Sequence, residues 1–422
     1  MALQIKPMLP LTRLATGLRL FVICLVAVSV SLPMAWVSLG KLLLFVTCLI
    51  FLCTVLLRGT KDEVIRGLWT VRAILFILMA FACSLFWTAA PPDVALVAFV
   101  KRSKLLEIAM LVVLIRNARE AQLAMLAFFA SQAFFILTSW VMATGLRVPW
   151  ATSALEPQYQ SVVFSTYLDQ TLIFAAAAAV FWHLRQEWGS TAWLAVALAA
   201  AAITNNLFLQ VGKTGYIASL VILTLIIMWE IPKKWRLPAL ILAPAVIGIA
   251  MYAGSAKFQS KVAQIMNESQ SYSAQGNNAS SSGFRLHAWR RSLEAIAEDP
   301  LMGQGVGSWL HSVKKIEGTN ADQVFGRGAS SNPHQEFLLW GVELGVGGIL
   351  LLILLVAALI RDSWRFPRPV RQATLSVVAV MVVACFFNSS LYDALIGDFF
   401  CVTLGLLLAL GVRGNTSGAI RV

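Results

Sequence analysis

The stretch NPHQEFLLWGVELGVGGILLLILLVAALI at residues 332–360 joins a polar entry to a long apolar run. About 20 consecutive apolar residues are enough for a helix to cross the hydrocarbon core of a membrane. A helix is the expected form because lipid offers no hydrogen-bond partner to an open backbone. The stretch therefore predicts a membrane-spanning helix over 334–360, with His334 at the membrane–water boundary beside the helix amino terminus.

Apolar segments of similar length recur on both sides of this stretch. Of the 422 residues, 59% are hydrophobic and only 13% are charged, which is more apolar surface than a soluble protein can bury. No internal repeat is visible. We therefore expect an all-α polytopic membrane protein with about 12 transmembrane helices. The eleven other predicted spans are 19–36, 39–57, 73–90, 100–116, 121–144, 161–183, 191–210, 214–230, 237–254, 372–391 and 396–412.

Basic residues gather in alternate connections between these spans, and such residues normally mark the cytoplasmic side of a membrane protein. A cytoplasmic amino terminus puts 19 of the 33 Lys and Arg residues in cytoplasmic segments. Both termini are therefore predicted to be cytoplasmic, with the long polar segment on the opposite side. The 19 residues are Lys6, Arg13, Arg19, Arg58, Lys61, Arg66, Arg72, Arg116, Arg119, Arg185, Lys233, Lys234, Arg236, Arg361, Arg365, Arg368, Arg371, Arg413 and Arg421.

The polar segment separates two groups of spans. It is expected to contain an amphipathic helix over 256–273 and a second helix that begins near an N-cap at Ser281 or Ser282 and ends at Asp299. The predicted parts are transmembrane helices 1–9 in residues 1–255, an extracytoplasmic loop subdomain in 256–333, and transmembrane helices 10–12 in 334–422.

Composition excludes several other classes of function. The formal net charge of +13 is mostly a topology signal that anionic membrane lipids neutralise, so we expect no nucleic-acid partner. All six cysteines lie in apolar spans, which leaves no disulfide framework in the loop. The sequence has no Asp-x-Asp pair and no His/Glu cluster with metal-ligand spacing, so we expect no metal site and no cofactor.

Arg102 and Lys104, at the start of the fourth predicted span, are expected to face the outer solution. Four other basic residues on the outer side are candidate ligands for an anion: Arg285 and Arg290 in the loop, Lys213 before the eighth span, and Arg147 after the fifth. A cation at the membrane edge suits a phosphate whose lipid tail stays in the bilayer. Arginine offers paired donors to phosphate oxygens, and lysine offers a compact point charge. The alternative is that these side chains extend to lipid headgroups.

His334 is the candidate general base. A neutral imidazole accepts a hydroxyl proton near physiological pH, and the predicted position brings this ring to the outer membrane surface. The alternative for His334 is a capping or interfacial histidine.

Several short motifs lie in the second half of the chain: Arg285 with Trp289, DPLMGQGVG at 299–307, NPHQEF at 332–337 and ELGVGG at 343–348. Together they resemble the O-antigen ligase and polymerase superfamily, and the lipopolysaccharide O-antigen ligases within it most of all. The resemblance covers the topology of the whole chain and motifs from about 205 to 350.

The resemblance implies a metal-independent, inverting membrane glycosyltransferase of the GT-C type. Such an enzyme transfers O-antigen from undecaprenyl pyrophosphate to the lipid A-core oligosaccharide at the periplasmic face of the bacterial inner membrane. His334 matches the family histidine and is implied to act as the base. Arg285 matches the loop arginine, and Lys213 stands where relatives often carry arginine. Gln335 departs from the family pattern, in which many relatives have asparagine.

Three alternatives remain open at this level. An O-antigen polymerase uses the same donor with a second lipid-linked glycan as acceptor, and a protein O-oligosaccharyltransferase transfers the glycan to protein. A secondary transporter also fits twelve spans with both termini inside, but transporters often show repeated halves and mid-membrane sites. Here the two halves are unlike, and the polar residues lie in one loop and at span ends.

Overall fold

The computed structural model describes residues 9–58, 67–151, 160–275, 279–320, 324–325 and 331–415. Of the basic residues used to predict topology, Lys6, Lys61, Arg66 and Arg421 lie outside the described residues. Regular structure within the described ranges is helical, without strands. The α-helices are α1 (Leu9–Ser29), α2 (Met34–Arg58), α3 (Trp69–Ser84), α4 (Pro92–Arg102), α5 (Leu106–Leu114), α6 (Ala118–Ala143), α7 (Tyr167–Leu184), α8 (Ala192–Phe208), α9 (Lys213–Glu230), α10 (Arg236–Gly254), α11 (Ala256–Gln275), α12 (Ser281–Glu298), α13 (Trp309–Glu317), α14 (Glu336–Ser363), α15 (Arg368–Phe387) and α16 (Ala394–Asn415).

Eight stretches among the described residues are long and apolar enough to cross a membrane. One of them, Tyr167–Phe208, comprises α7 and α8 joined by a tight turn in which Gly189 has a φ of 51°. Two shorter apolar helices accompany the eight, Thr16–Ser29 and Trp69–Ser84. The predicted helical, polytopic membrane architecture is confirmed, whereas the count of about 12 spans and the GT-C class stay predictions.

The predicted span over 100–116 belongs to a helical run that begins earlier, at Pro92. A 3-10 turn at Ser103–Leu105 divides this run into α4 and α5. The turn carries charged side chains into the protein, where Arg102 is 1% exposed and Lys104 is also buried. The Lys104 ammonium donates to the backbone oxygen of Asp393 at 2.6 Å. The sequence pattern indicated that Arg102 and Lys104 face the outer solution. In the structure they hold helices together instead.

Two helices form the centre of the bundle. Every residue of α7 from Gln170 to Phe181 is buried, and α7 packs against α8, α9 and α15. The other central helix, α16, is buried over most of its length and packs against α5, α6 and α15. Alanine-rich α7 allows close helix approach, which is the usual packing solution where lipid gives no hydrophobic driving force between helices.

The glycine-rich turn after α12 docks into a break in α14. The break lies at Leu344–Gly345, where Gly345 has a φ of 63°. Backbone hydrogen bonds run from Gln304 N–H to Val342 O (2.8 Å), from Gly305 N–H to Glu343 O (2.9 Å) and from Val346 N–H to Pro300 O (2.8 Å). The turn is thus a structural joint between the loop and α14.

Glycine is required at this joint because two backbones touch. A Cβ atom on Gly345 would lie 2.4 Å from Pro300 O, and one on Gly303 would lie 2.4 Å from Gly345 N. Both residues also adopt a positive φ, which residues other than glycine rarely adopt. The two motifs that carry the glycines, 299–307 and 343–348, therefore specify one packing contact.

A buried ionic cluster fixes the start of α14. The Arg102 guanidinium donates to Glu336 Oε1 at 2.5 Å and to Glu343 Oε2 at 2.6 Å. Glu336 Oε2 accepts the backbone N–H groups of Leu391 (2.9 Å) and Tyr392 (3.2 Å). The cluster therefore anchors the 388–393 connection beside the amino terminus of α14.

Candidate functional site

Helix α12 is positioned by a cap at its start and by a tether to the segment before α14. The Ser280 hydroxyl caps the helix by accepting the Gly283 N–H at 3.0 Å, one residue before the predicted N-cap. The Trp289 indole N–H donates to Pro333 O at 3.0 Å. The predicted helices over 256–273 and from about 281 to 299 are confirmed as α11 and α12. This tether brings the first turns of α12, with Arg285, next to His334.

His334 has a strained backbone. Its φ is 52°, and it is the one residue other than glycine with a positive φ in the ranges that the structure describes. The Asn332 side chain supports this conformation by accepting the His334 N–H at 2.9 Å. Such strain costs about 1–3 kcal/mol and persists where the surroundings fix it, which is frequent at functional sites. The strain therefore agrees with a functional role for His334.

The hydrogen bonds around the His334 ring select one tautomer. The Asn388 side-chain amide donates to Asp393 Oδ2 at 3.0 Å, which turns the Asn388 carbonyl oxygen towards His334. The distance from His334 Nδ1 to Asn388 Oδ1 is 2.9 Å, so Nδ1 carries the hydrogen and donates it. The Nε2 lone pair is then the basic position of the neutral ring. Asp393, Asn388 and His334 thus form a chain that orients a proton acceptor.

Electrostatics keep His334 neutral. Burial lowers the pKa of His334, the nearby Arg285 charge lowers it further, and the hydrogen bond with Asn388 raises it in part. Burial raises the pKa of Asp393 to about 7, with the negative charges of Asp169 and Glu336 acting in the same direction. At neutral pH the imidazole is therefore uncharged. Asp393 changes between its neutral and ionised forms near the same pH.

Arg285 lines a cavity of about 170 Å³ between α9, α11 and α12. Within the described ranges its guanidinium makes no direct hydrogen bond or ion pair. Burial lowers the pKa of Arg285, and the more distant charges of Tyr167 and Glu268 offset this in part. A half-buried arginine normally has a carboxylate or carbonyl partner, because desolvating an unpaired charge is costly. An anionic ligand would supply the partner that the protein does not. The cavity is lined by Lys213, Thr214, Ile217, Ile265, Ser269, Ser282, Arg285, Leu286, Trp289 and Phe387.

Lys213 shares this cavity but is already paired. Its ammonium lies 3.0 Å from Glu268 Oε2 and 3.3 Å from the Ser282 hydroxyl. Burial raises the pKa of Glu268, but hydrogen bonds from Ser282, Lys213 and Gln264 outweigh burial and lower it to about 2. Lys213 is therefore held at the cavity by a carboxylate that an anionic ligand would have to compete with.

The family comparison matches the region that contains these residues. The family model described as O-antigen ligase matches residues 198–353. This region belongs to the O-antigen ligase superfamily. A comparison with curated proteins found no match. The O-antigen ligase region includes Lys213, Arg285 and His334, so the resemblance seen in the motifs is confirmed at the level of the superfamily.

Two of the predicted cations lie outside this group. The Arg290 side chain is 71% exposed and pairs with Glu294 at 3.2 Å, one turn further along α12. Arg147 is exposed after α6, outside the matched O-antigen ligase region, and does not line the cavity. The structure therefore brings together His334, Arg285 and Lys213, but not Arg147 or Arg290.

The two residues that orient His334 were not among the predicted site residues. Asn388 and Asp393 lie in the connection between α15 and α16, outside the matched O-antigen ligase region, more than 50 residues from His334. Arg102, which holds this connection through Glu336, was read as an outward-facing cation. One signal was available, because the connection NSSLYD at 388–393 is entirely polar apart from Leu391 and Tyr392 and lies between two apolar spans.

No group of three or more His, Cys, Asp or Glu side chains is arranged to hold a metal ion in the part of the chain that the structure describes. Two carboxylates at the site already have partners. Asp393 accepts the Asn388 amide hydrogen, and Glu268 accepts the Ser282 backbone N–H and the Lys213 ammonium.

Proposed function

We propose that this protein is an O-antigen ligase. It transfers O-antigen polysaccharide from undecaprenyl pyrophosphate to the lipid A-core oligosaccharide by metal-independent, inverting glycosyl transfer. The active site faces the periplasm from the bacterial inner membrane, and both termini are cytoplasmic. The observation that carries the proposal is the Arg285 guanidinium, which has no partner among the described residues and lies beside an imidazole whose Nε2 lone pair is available.

Arg285 and Lys213 bind the donor pyrophosphate in this proposal. Both line the 170 Å³ cavity, whose other walls include Ile217, Leu286 and Phe387. Cations in an apolar setting suit a charged headgroup attached to a lipid tail. Negative charge grows on the pyrophosphate as the sugar–phosphate bond breaks, and fixed cations stabilise that charge more strongly in a poorly solvated site than in water.

His334 activates the acceptor. Its Nε2 takes the proton from an acceptor hydroxyl while the hydroxyl oxygen bonds to the anomeric carbon of the donor sugar. The electron pair of the breaking bond leaves with the undecaprenyl pyrophosphate, so the anomeric centre is inverted and no covalent sugar–enzyme bond forms. Asp393 and Asn388 keep the Nδ1 hydrogen in place and so leave Nε2 free to accept.

Reconstitution in proteoliposomes with lipid-linked O-antigen and lipid A-core tests the proposal. We expect His334→Ala to lower the rate by about 10²–10⁴-fold, the usual contribution of general-base catalysis. We expect Arg285→Ala to lower it by about 10²–10³-fold, as for other donors that stabilise transition-state charge. Lys315→Ala is the matched control, because this loop lysine is 68% exposed and pairs with Glu298.

Three results would overturn the proposal: full activity in both variants, loss of activity on chelation of divalent metals, or no transfer to lipid A-core under any condition. Transfer to a second lipid-linked glycan or to protein in place of lipid A-core would assign the same site to an O-antigen polymerase or a protein O-oligosaccharyltransferase. Substrate flux without glycan transfer would assign the protein to the transporters.

A further inference from the structure

A second, larger cavity of about 420 Å³ lies at the end of the bundle away from His334. Its lining includes Leu184, the last residue of α7, and Leu410, near the end of α16. Both helices begin on the His334 side, since α16 follows Asp393 directly. The volume falls in the ~300–1,000 Å³ range of small-molecule and cofactor sites. The proposed glycosyl transfer makes no use of this cavity.

The floor and walls of the cavity are apolar. Phe129, Leu184 and Leu410 are buried at its base, and Leu126 is 59% exposed at its open side. The Phe129 ring lies 5.0 Å from the Trp188 ring, which closes one wall. The walls belong to α6 and to the α7–α8 pair, both of which are long and apolar enough to span a membrane. An open apolar groove on spanning helices suits a hydrocarbon chain.

The rim of the groove carries two charges of opposite sign. Arg119 lies in the first turn of α6, and Glu187 lies in the turn between α7 and α8. Within the described ranges neither side chain has a hydrogen-bond or ion-pair partner. Their neighbours are paired instead: Glu120 with Arg19 and Arg185 with Glu230. Two unpaired opposite charges at the mouth of an apolar groove match a ligand that carries both charges on an apolar chain.

We propose that this groove binds a zwitterionic aminophospholipid. One acyl chain lies along Phe129, Leu184 and Leu410, the phosphate contacts Arg119, and the ammonium group contacts Glu187. Arginine suits phosphate because its planar donors pair with two oxygens. Glu187 selects against an anionic headgroup without an amine, because its carboxylate would then have no ammonium partner. The inference does not depend on the proposed glycosyl transfer.

Competition between two lipids tests the proposal. Purified, delipidated full-length protein is mixed with equal amounts of phosphatidylethanolamine and phosphatidylglycerol of the same chain length, and bound lipid is measured by native mass spectrometry. We expect the wild type to retain phosphatidylethanolamine in preference, by about tenfold or more. We expect Glu187→Gln to remove this preference and Glu187→Lys to reverse it towards phosphatidylglycerol.

Two further variants separate the headgroup site from the groove. Arg119→Ala should weaken binding of both lipids, and Leu126→Trp should exclude both by filling the open side. Lys234→Ala is the matched control, because Lys234 is exposed at the same end of the bundle and does not line the groove. The preference is a ratio measured within one sample, so a loss of folded protein does not change it.

Equal retention of the two lipids by the wild type would overturn the proposal. An unchanged preference in folded Glu187→Lys protein would also overturn it, because annular lipid held by apolar contact alone does not respond to this charge. Unchanged activity with lost lipid preference would leave the glycosyl-transfer proposal intact, so the two proposals fail separately.

Discussion

Arg102 and Arg285 both lie close to the start of α14, and they differ in every contact that their guanidinium groups make. Arg102 is 1% exposed, bonds to Glu336 and Glu343, and packs against the Phe81 and Trp340 rings. Arg285 lines a cavity and has no such partner among the described residues. The first arginine completes a structure, and the second leaves a charge for a ligand. The number of partners, rather than residue type, separates a packing role from a binding role here.

The same contrast holds for the two sets of family motifs. The glycine motifs at 299–307 and 343–348 meet each other and leave no space. The motifs around Arg285 and His334 meet at the hydrogen bond from Trp289 to Pro333, and Arg285 lines a cavity that leaves room for another molecule. Both sets belong to the O-antigen ligase region, yet only the second offers groups for chemistry.

The largest expected effect comes from removing Arg102. Arg102→Ala would leave Glu336 and Glu343 buried without a cationic partner, and losing one member of a buried ionic cluster costs about 3–5 kcal/mol. Arg285→Ala removes a charge without a partner in the described structure, so we expect its unfolding free energy to change by less than about 1 kcal/mol. Thermal unfolding in detergent, followed by tryptophan fluorescence, compares the two. Equal destabilisation of both variants would erase the distinction drawn between the arginines.

A smaller loss is expected at the glycine joint. Gly345→Ala would force a Cβ atom to within 2.4 Å of Pro300 O in a left-handed backbone, with a strain of at least about 1–3 kcal/mol. Gly347→Ala is the matched control, because a Cβ atom there meets nothing within 4 Å and the residue is helical. Unfolding midpoints should fall for the first variant and hold or rise for the second. If the Gly345→Ala protein is as stable as the wild type, the turn at 299–307 and α14 can move apart without loss of stability.

The smallest effect concerns the orientation of His334. Loss of activity on the acid side should begin near pH 7, where Asp393 gains a proton and, once neutral, accepts the Asn388 amide hydrogen more weakly. In Asp393→Asn this limb should move to lower pH, where protonation of His334 takes over, because burial lowers the pKa of His334. We expect the plateau rate to fall by about tenfold from the weaker orientation of the base. The pH profile of reconstituted transfer measures both changes.

A merely structural role for Asp393 would lower the rate without moving the acid limb. Asn388→Asp serves as a second test, because it places a carboxylate against Nδ1 and should raise the pKa of His334. The acid limb would then move to higher pH, opposite to the shift expected for Asp393→Asn. Identical profiles in the two variants would argue against the chain from Asp393 to His334.

Local sequence predicted most of the helices, because apolar runs with charged ends leave the backbone few alternatives in lipid. It located α12 to within a few residues through its polar start and the Asp299-Pro300 stop. It misread Arg102 and Lys104, since a basic residue at the end of an apolar run looks the same whether it faces water or a buried carboxylate. The partners of Arg102 are more than 200 residues away in the chain, so no local pattern records them.

The sequence by itself determined that the chain is a helical membrane protein with a region, residues 198–353, that matches the O-antigen ligase family, and it singled out His334, Arg285 and Lys213. The length of an apolar segment and the presence of a short motif are local properties, so both can be recognised from the sequence alone. Only the tertiary structure decided that Arg285 lacks a partner in the described structure, that Lys213 has one in Glu268, and which nitrogen of His334 is basic. Those properties depend on distances between side chains from separate helices, and packing alone sets such distances.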